Sequence, residues 1–133
     1  MSAARHYTGL TVHSPPLLEH FRNPRNVGDL PPPAVSVTVE NPACGDIMRL
    51  SARIEDGMVT SARYQVRGCA ASIGCGSALT DLLTGMAVAE LARVDPTRVM
   101  AAVGGLEPES RHAAVLCADA VAALRGRLVG LTR

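Results

Sequence analysis

Three segments that alternate apolar and polar residues constrain this chain more than any other feature. Val35, Val37 and Val39 alternate with Ser36, Thr38 and Glu40. Met48, Leu50, Ala52 and Ile54 alternate with Arg49, Ser51 and Arg53, and Ala62, Tyr64 and Val66 with Ser61, Arg63 and Gln65. A period of two marks strands with one buried face. Glu55-Asp56-Gly57 has the composition of a hairpin turn between the second and third segments. The pattern predicts a three-stranded antiparallel sheet with one face on a core and the other in water.

After Gly68-Cys69 the period lengthens. Ile73, Leu79, Leu82 and Leu83 fit a helix over about 71–83, with Gly85 as its stop. A short helix follows over Val88 to Arg93. Asp95 and Pro96 suit the cap and first turn of another, which ends at Gly104-Gly105. The last helix is expected from near Pro108 to about Leu128, with Ala113, Cys117, Ala120 and Leu124 on one stripe. Upstream, Pro15-Pro16 opens a short helix reaching Phe21. Residues 1–14 read as a loose tail, which leaves 15–133 as one α+β domain.

Composition narrows the function classes. Hydrophobic residues make up 47% of the chain, enough for a core, but aromatics only 2%, which leaves little to stack on nucleic-acid bases. A formal net charge of +1 argues against a strong electrostatic grip on nucleic acid or an acidic membrane. No apolar run approaches the roughly 18 residues of a membrane span. Met1 to Ser14 lacks the apolar stretch of a signal peptide. The expectation is a cytoplasmic protein, whose four cysteines serve as ligands, reactive thiols or packing rather than disulfides.

The chemistry concentrates at Asn41-Pro42-Ala43-Cys44-Gly45-Asp46. If strand geometry already holds there, Cys44 and Asp46, two apart, face one point. Gly45 lets the backbone bend close to it. A thiol and a carboxylate aimed together suggest half of a metal site. Cys69 stands at the start of a helix, where the dipole and Arg67 favour a thiolate; a small buried residue at a tight turn is the alternative. His112 lies in the first turn of the last helix, which disfavours imidazolium and leaves a ring able to ligate, or simply to cap the helix.

Cys75 is about 600° of helix rotation from Cys69, so core packing suits it better. Cys117 lies on the apolar stripe and reads the same way. His6 and His13 fall in the tail, and His20 suits packing or the surface.

Taken together, these segments resemble the IscU/NifU N-terminal (SufU-like) family of iron–sulfur cluster assembly scaffolds. The likeness runs through Leu18-Glu19-His20-Phe21-Arg22-Asn23-Pro24-Arg25-Asn26-Val27-Gly28, Asn41 to Met48, Gly68-Cys69-Ala70-Ala71-Ser72-Ile73 and Ala118-Asp119-Ala120. It covers nearly all of 17–125. The resemblance implies a three-stranded antiparallel sheet with helices packed on one face and a site at one end. Carried over by position, Cys44, Asp46, Cys69 and His112 become the metal- and cofactor-binding residues. The family's third cysteine falls on Ala113.

The resemblance further implies a scaffold rather than an enzyme. It would carry a transient iron–sulfur cluster, of the [2Fe–2S] type, and bind a zinc or iron ion. Its partners would be a cysteine desulfurase and acceptor or carrier proteins, with no nucleic acid and no membrane, and it would exist as a monomer or small homo-oligomer. Two other readings stay open: a zinc-binding persulfide acceptor that activates a desulfurase, and a degenerate paralogue that acts as an interaction protein.

Overall fold

The computed structural model describes residues 13–131. Its elements are α1 (Pro15–Arg22), β1 (Val35–Glu40), β2 (Ile47–Glu55), β3 (Met58–Arg67), α2 (Ala70–Leu83), α3 (Pro96–Ala102) and α4 (His112–Leu131). Two 3-10 segments, Val88–Arg93 and Pro108–Ser110, precede α3 and α4.

The three alternating segments pair as expected. The sheet is antiparallel in the order β1-β2-β3. Asp56 and Gly57 both have positive φ, 53° and 74°, as the two-residue turn matched to strand twist requires. A register shift between Arg53 and Ile54 ends the strict alternation near this turn.

One face of the sheet carries Val35, Val37, Met48, Leu50, Ala52, Val59, Ala62 and Tyr64, all buried. Helices α2 and α4 pack on it and on each other, and α1 packs on α2. Tyr64 anchors this layer. Its ring lies so close to Gly76 that a Cβ there would sit 2.4 Å from a ring carbon, and its hydroxyl donates to the Ile73 carbonyl at 2.7 Å. Helix and sheet approach closely because α2 offers glycine at the contact.

The helix boundaries differ from the periodicity. Val88–Arg93 is a 3-10 helix. The stretch from Pro108 forms one 3-10 turn, and α4 itself starts at His112 and runs past Leu128 to Leu131. Ser110 is buried and its N–H bonds to Glu107, so a separate turn feeds α4. Most of the expected tail, residues 1–12, lies outside the described residues. Ser14 caps α1: its hydroxyl accepts from the Leu17 N–H at 3.3 Å. The Ser14 hydroxyl also donates to the Val103 carbonyl, tying the start of α1 to the end of α3.

Candidate metal centre

Three chain segments meet at one end of the sheet. The first is the loop between β1 and β2. Asn41 organises it: its carbonyl accepts from the Cys44 and Gly45 N–H groups, at 3.3 and 2.7 Å, and its side-chain oxygen accepts from the Ala43 N–H at 2.9 Å. The Asn41 N–H in turn donates to the Asp46 carbonyl at 2.9 Å. Gly45 takes φ +78°, a conformation other residues rarely adopt. Cys44 and Asp46 therefore converge through a turn. Strand alternation is not the cause, because β2 begins only at Ile47.

The second segment joins β3 to α2. Cys69 is the N-cap of α2, and its carbonyl accepts the Ile73 N–H at 3.1 Å. Its thiol makes no capping bond and turns instead toward Asp46. Gly68 just before it faces the Asp46 carboxylate. A Cβ there would lie 2.5 Å from Asp46 Cγ, so the close approach requires glycine. The third segment is the start of α4, where His112 is its first residue.

The four predicted residues come together. The ligand atoms of Cys44, Asp46 and His112 lie within 4.8 Å of one another. Cys69 Sγ lies 3.3 Å from Asp46 Oδ2 and 3.4 Å from His112 Nε2. His112 Nε2 is 3.6 Å from Asp46 Oδ2. His112 Nδ1 sits 3.1 Å from the Glu109 carbonyl. A carbonyl only accepts, so Nδ1 carries a proton, and Nε2 is the ring nitrogen that faces the cluster. The same arrangement orients imidazoles in metal sites.

Asp46 is the hub of the site and is nearly buried. Its Oδ2 accepts from Ser72 Oγ at 2.6 Å and from the Cys69 N–H at 3.4 Å. Burial alone pushes this carboxyl up. The hydrogen bonds from Ser72 and from the Cys69 thiol and N–H, with the His112 charge, outweigh burial and hold it below its ordinary value. Cys44 and Cys69 are exposed. Two sulfurs, an imidazole nitrogen and a carboxylate oxygen suit tetrahedral zinc or iron.

The remaining candidates lie elsewhere. Cys75 and Cys117 are buried. His20 hydrogen-bonds Ser77 at 2.7 Å, and the same hydroxyl takes the Arg25 N–H at 2.8 Å, so His20 braces α1 and the following loop against α2. Ala113 is fully buried and offers no donor atom. Reading the sequence missed two residues. Ser72 could have been found, since it follows the N-cap Cys69 by three, the spacing at which a side chain reaches back over the first turn. His13, read as part of the tail, lines a cavity together with Cys69 and His112.

The comparisons with known proteins point to one family. The NifU-like N-terminal domain family matches residues 13–125. The iron–sulfur cluster assembly scaffold protein IscU 1 of Archaeoglobus fulgidus is 34% identical over 110 residues, 83% of this chain and 72% of that protein. The nitrogen fixation protein NifU of Cereibacter sphaeroides is 45% identical over 97 residues, 73% of this chain and 39% of that one. In structure, the N-terminal part of a NifU-like protein from Brucella abortus superposes with a TM-score of 0.70 at 24% identity, covering 87% of this chain and 93% of that one. With a family match spanning residues 13–125, this chain belongs to the NifU-like N-terminal domain family.

Proposed function

We propose that this protein is an iron–sulfur cluster assembly scaffold that gathers iron and sulfide at Cys44, Cys69, Asp46 and His112. The cluster is cargo, passed on to acceptor proteins. The observation that carries this reading is the convergence of two exposed thiols on the buried carboxylate of Asp46 beside the His112 imidazole. The likeness to the iron–sulfur cluster assembly scaffold protein IscU 1 of Archaeoglobus fulgidus supports it.

The residues divide the work. The thiols supply soft ligands and are open to a persulfide donor such as a cysteine desulfurase. Asp46 is a hard oxygen on soft chemistry, hence the ligand most readily displaced when the cluster leaves. Ser72 and Gly68 hold it in place until then. His112 Nδ1–H donates to the Glu109 carbonyl, which keeps Nε2 turned toward the ion.

A second reading is favoured by Ala113, which puts a buried methyl group beside His112 where a further thiol would add a ligand. With two thiols the site is also suited to holding one zinc ion while a cysteine accepts persulfide sulfur. Anaerobic incubation with a cysteine desulfurase, cysteine, ferrous iron and a thiol reductant separates the two. The scaffold reading expects visible absorption of a [2Fe–2S] cluster, abolished in Cys44→Ser and in Cys69→Ser, and passage of that cluster to an apo-ferredoxin. Stable zinc with persulfide on the protein and no visible cluster would overturn it in favour of the second reading.

A further inference from the structure

Two of the four donors, Cys69 and His112, line a cavity of about 430 Å³, and His13 lines the same cavity with Ala70 and Glu109. His13 also lines a second cavity of about 350 Å³, bounded by Leu17, Gly104 and Glu107, so space flanks the imidazole on two sides.

The backbone beside His13 is held in place. The Ser14 hydroxyl is bonded to Val103, and the Ser14 carbonyl accepts the Leu18 N–H at 3.0 Å. Gly104 closes on this corner, because a Cβ there would meet Pro16 at 3.2 Å and Ser14 Oγ at 3.5 Å. The His13 side chain is thus fixed at its root and has room at its tip. Among the described residues the ring has no hydrogen-bond or ion-pair partner. A half-buried imidazole with neither a partner nor full hydration is a nitrogen donor without an assigned task.

Asp46, in contrast, is heavily engaged. Its Oδ2 already accepts from Ser72 and Cys69 and is pressed against Gly68. A metal ion that takes this oxygen competes with hydrogen bonds the fold has built. An ion held by Cys44, Cys69 and His112 therefore has a crowded fourth donor in Asp46, and a further imidazole, His13, on the cavity that Cys69 and His112 line.

Building on the metal-site reading above, we propose that His13 is a further metal ligand, which crosses the cavity and takes the fourth position on the ion in exchange with Asp46. The exchange swaps a carboxylate oxygen for a neutral nitrogen. It leaves both thiolates in place and makes the ion's net charge one unit more positive. Such a site has two bound forms and holds its ion when Asp46 is withdrawn.

The test is nitrogen-edited imidazole NMR of the full chain on titration with Zn²⁺, with Zn²⁺ affinities measured by competition. The chain has four histidines, each assigned by its own substitution. The proposal expects the His112 and His13 ring nitrogens to shift together at one equivalent, while His20 and His6 stay still. It also expects His13→Ala and Asp46→Ala each to weaken Zn²⁺ by only about twofold, since either residue can fill the shared position, and the double variant to lose far more than the product of the two. If His112 shifts and His13 does not, and His13→Ala costs nothing further in the Asp46→Ala background, the His13 role is rejected and the four-residue site stands. If His6 shifts in place of His13, the assignment is likewise overturned. If no imidazole shifts at all, the metal-site reading itself has failed.

Discussion

The chain places two cysteines at an open corner and two inside the helix layer, and the same side chain meets opposite fates there. Cys44 and Cys69 are exposed, on a turn and at a helix N-cap, with Asp46 and His112 around them. Cys75 and Cys117 are fully buried on α2 and α4. Burial, with a smaller contribution from Cys69, pushes the Cys75 thiol up to about 12. Burial, with Cys75 second, raises Cys117 well above its ordinary value. A thiolate is the form that binds metal or attacks sulfur, so the inner pair is chemically silent at neutral pH. Only thiols that keep access to water, or to a built charge partner, remain available for chemistry.

The sharpest way to break this contrast is alkylation by iodoacetamide under native conditions, read by mass spectrometry. Cys44 and Cys69 are expected to react on the order of 10³-fold faster than Cys75 and Cys117, which must wait for opening of the fold. Comparable rates for all four would mean that the helix layer opens readily.

Substitution separates the pairs next. Cys69→Ser is expected to weaken Co²⁺ by about 100-fold or more and to remove part of the thiolate-to-cobalt absorption near the ultraviolet edge. Cys117→Ser is expected to leave Co²⁺ affinity within about twofold and to lower stability by about 1–2 kcal/mol in urea, because a hydroxyl replaces a buried thiol. Loss of cobalt binding in Cys117→Ser would show that the inner pair reaches the site after all.

The inner pair also predicts a pH dependence. Tyr64 is raised to about 12 by burial and then by Cys117, and Cys75 and Cys117 are raised by burial as well. Each acid is neutral in the folded protein at pH values where the unfolded chain has already lost its proton. The unfolded state then binds fewer protons, so stability is full below about pH 9 and falls as pH rises toward 12. The slope is about 1.4 kcal/mol per pH unit for each group that titrates only on unfolding. Urea midpoints between pH 8 and 11 measure it, and Cys75→Ala should flatten the slope.

The smallest expected effect sharpens the outer corner. Ser72→Ala removes the 2.6 Å hydrogen bond to Asp46 Oδ2. The Asp46 carboxyl should titrate at higher pH, seen by carbon NMR of the metal-free protein. Its contribution to stability is present above the ordinary carboxylate value and lost as pH falls through the depressed one, so the variant should lose it at a higher pH than the parent. Metal affinity should stay within about twofold, since the bond that orients Oδ2 also competes with the ion for it. An unchanged Asp46 titration would show that Ser72 does not hold the carboxylate.

The sequence was informative where a pattern repeats locally. Val35 to Val39, Met48 to Ala52 and Ala62 to Val66 specify strands by alternation alone, and Asp56-Gly57 specifies the turn, because φ/ψ preference and side-chain period are properties of neighbouring residues. The stripe of Ala113, Cys117, Ala120 and Leu124 likewise placed Cys117 in the core, where it is found. The pairing of Cys44 with Asp46 was legible too, although strand geometry was the wrong reason for it; an Asn41-centred turn does the work.

The composition of the site belonged to the tertiary structure. Gly68 is required only because the Asp46 carboxylate from the loop between β1 and β2 lies against it. Ser72 matters because α2 presents it to that carboxylate. His13 faces the cavity beside Cys69 because Ser14 is tied to Val103, 89 residues away in the chain. Residue types and local periods determined which thiols could be reactive and which would be buried. Which donors share one point was decided by packing β1, β2, β3 and the helices together, since distances between remote segments are set by the core and not by the sequence around each donor.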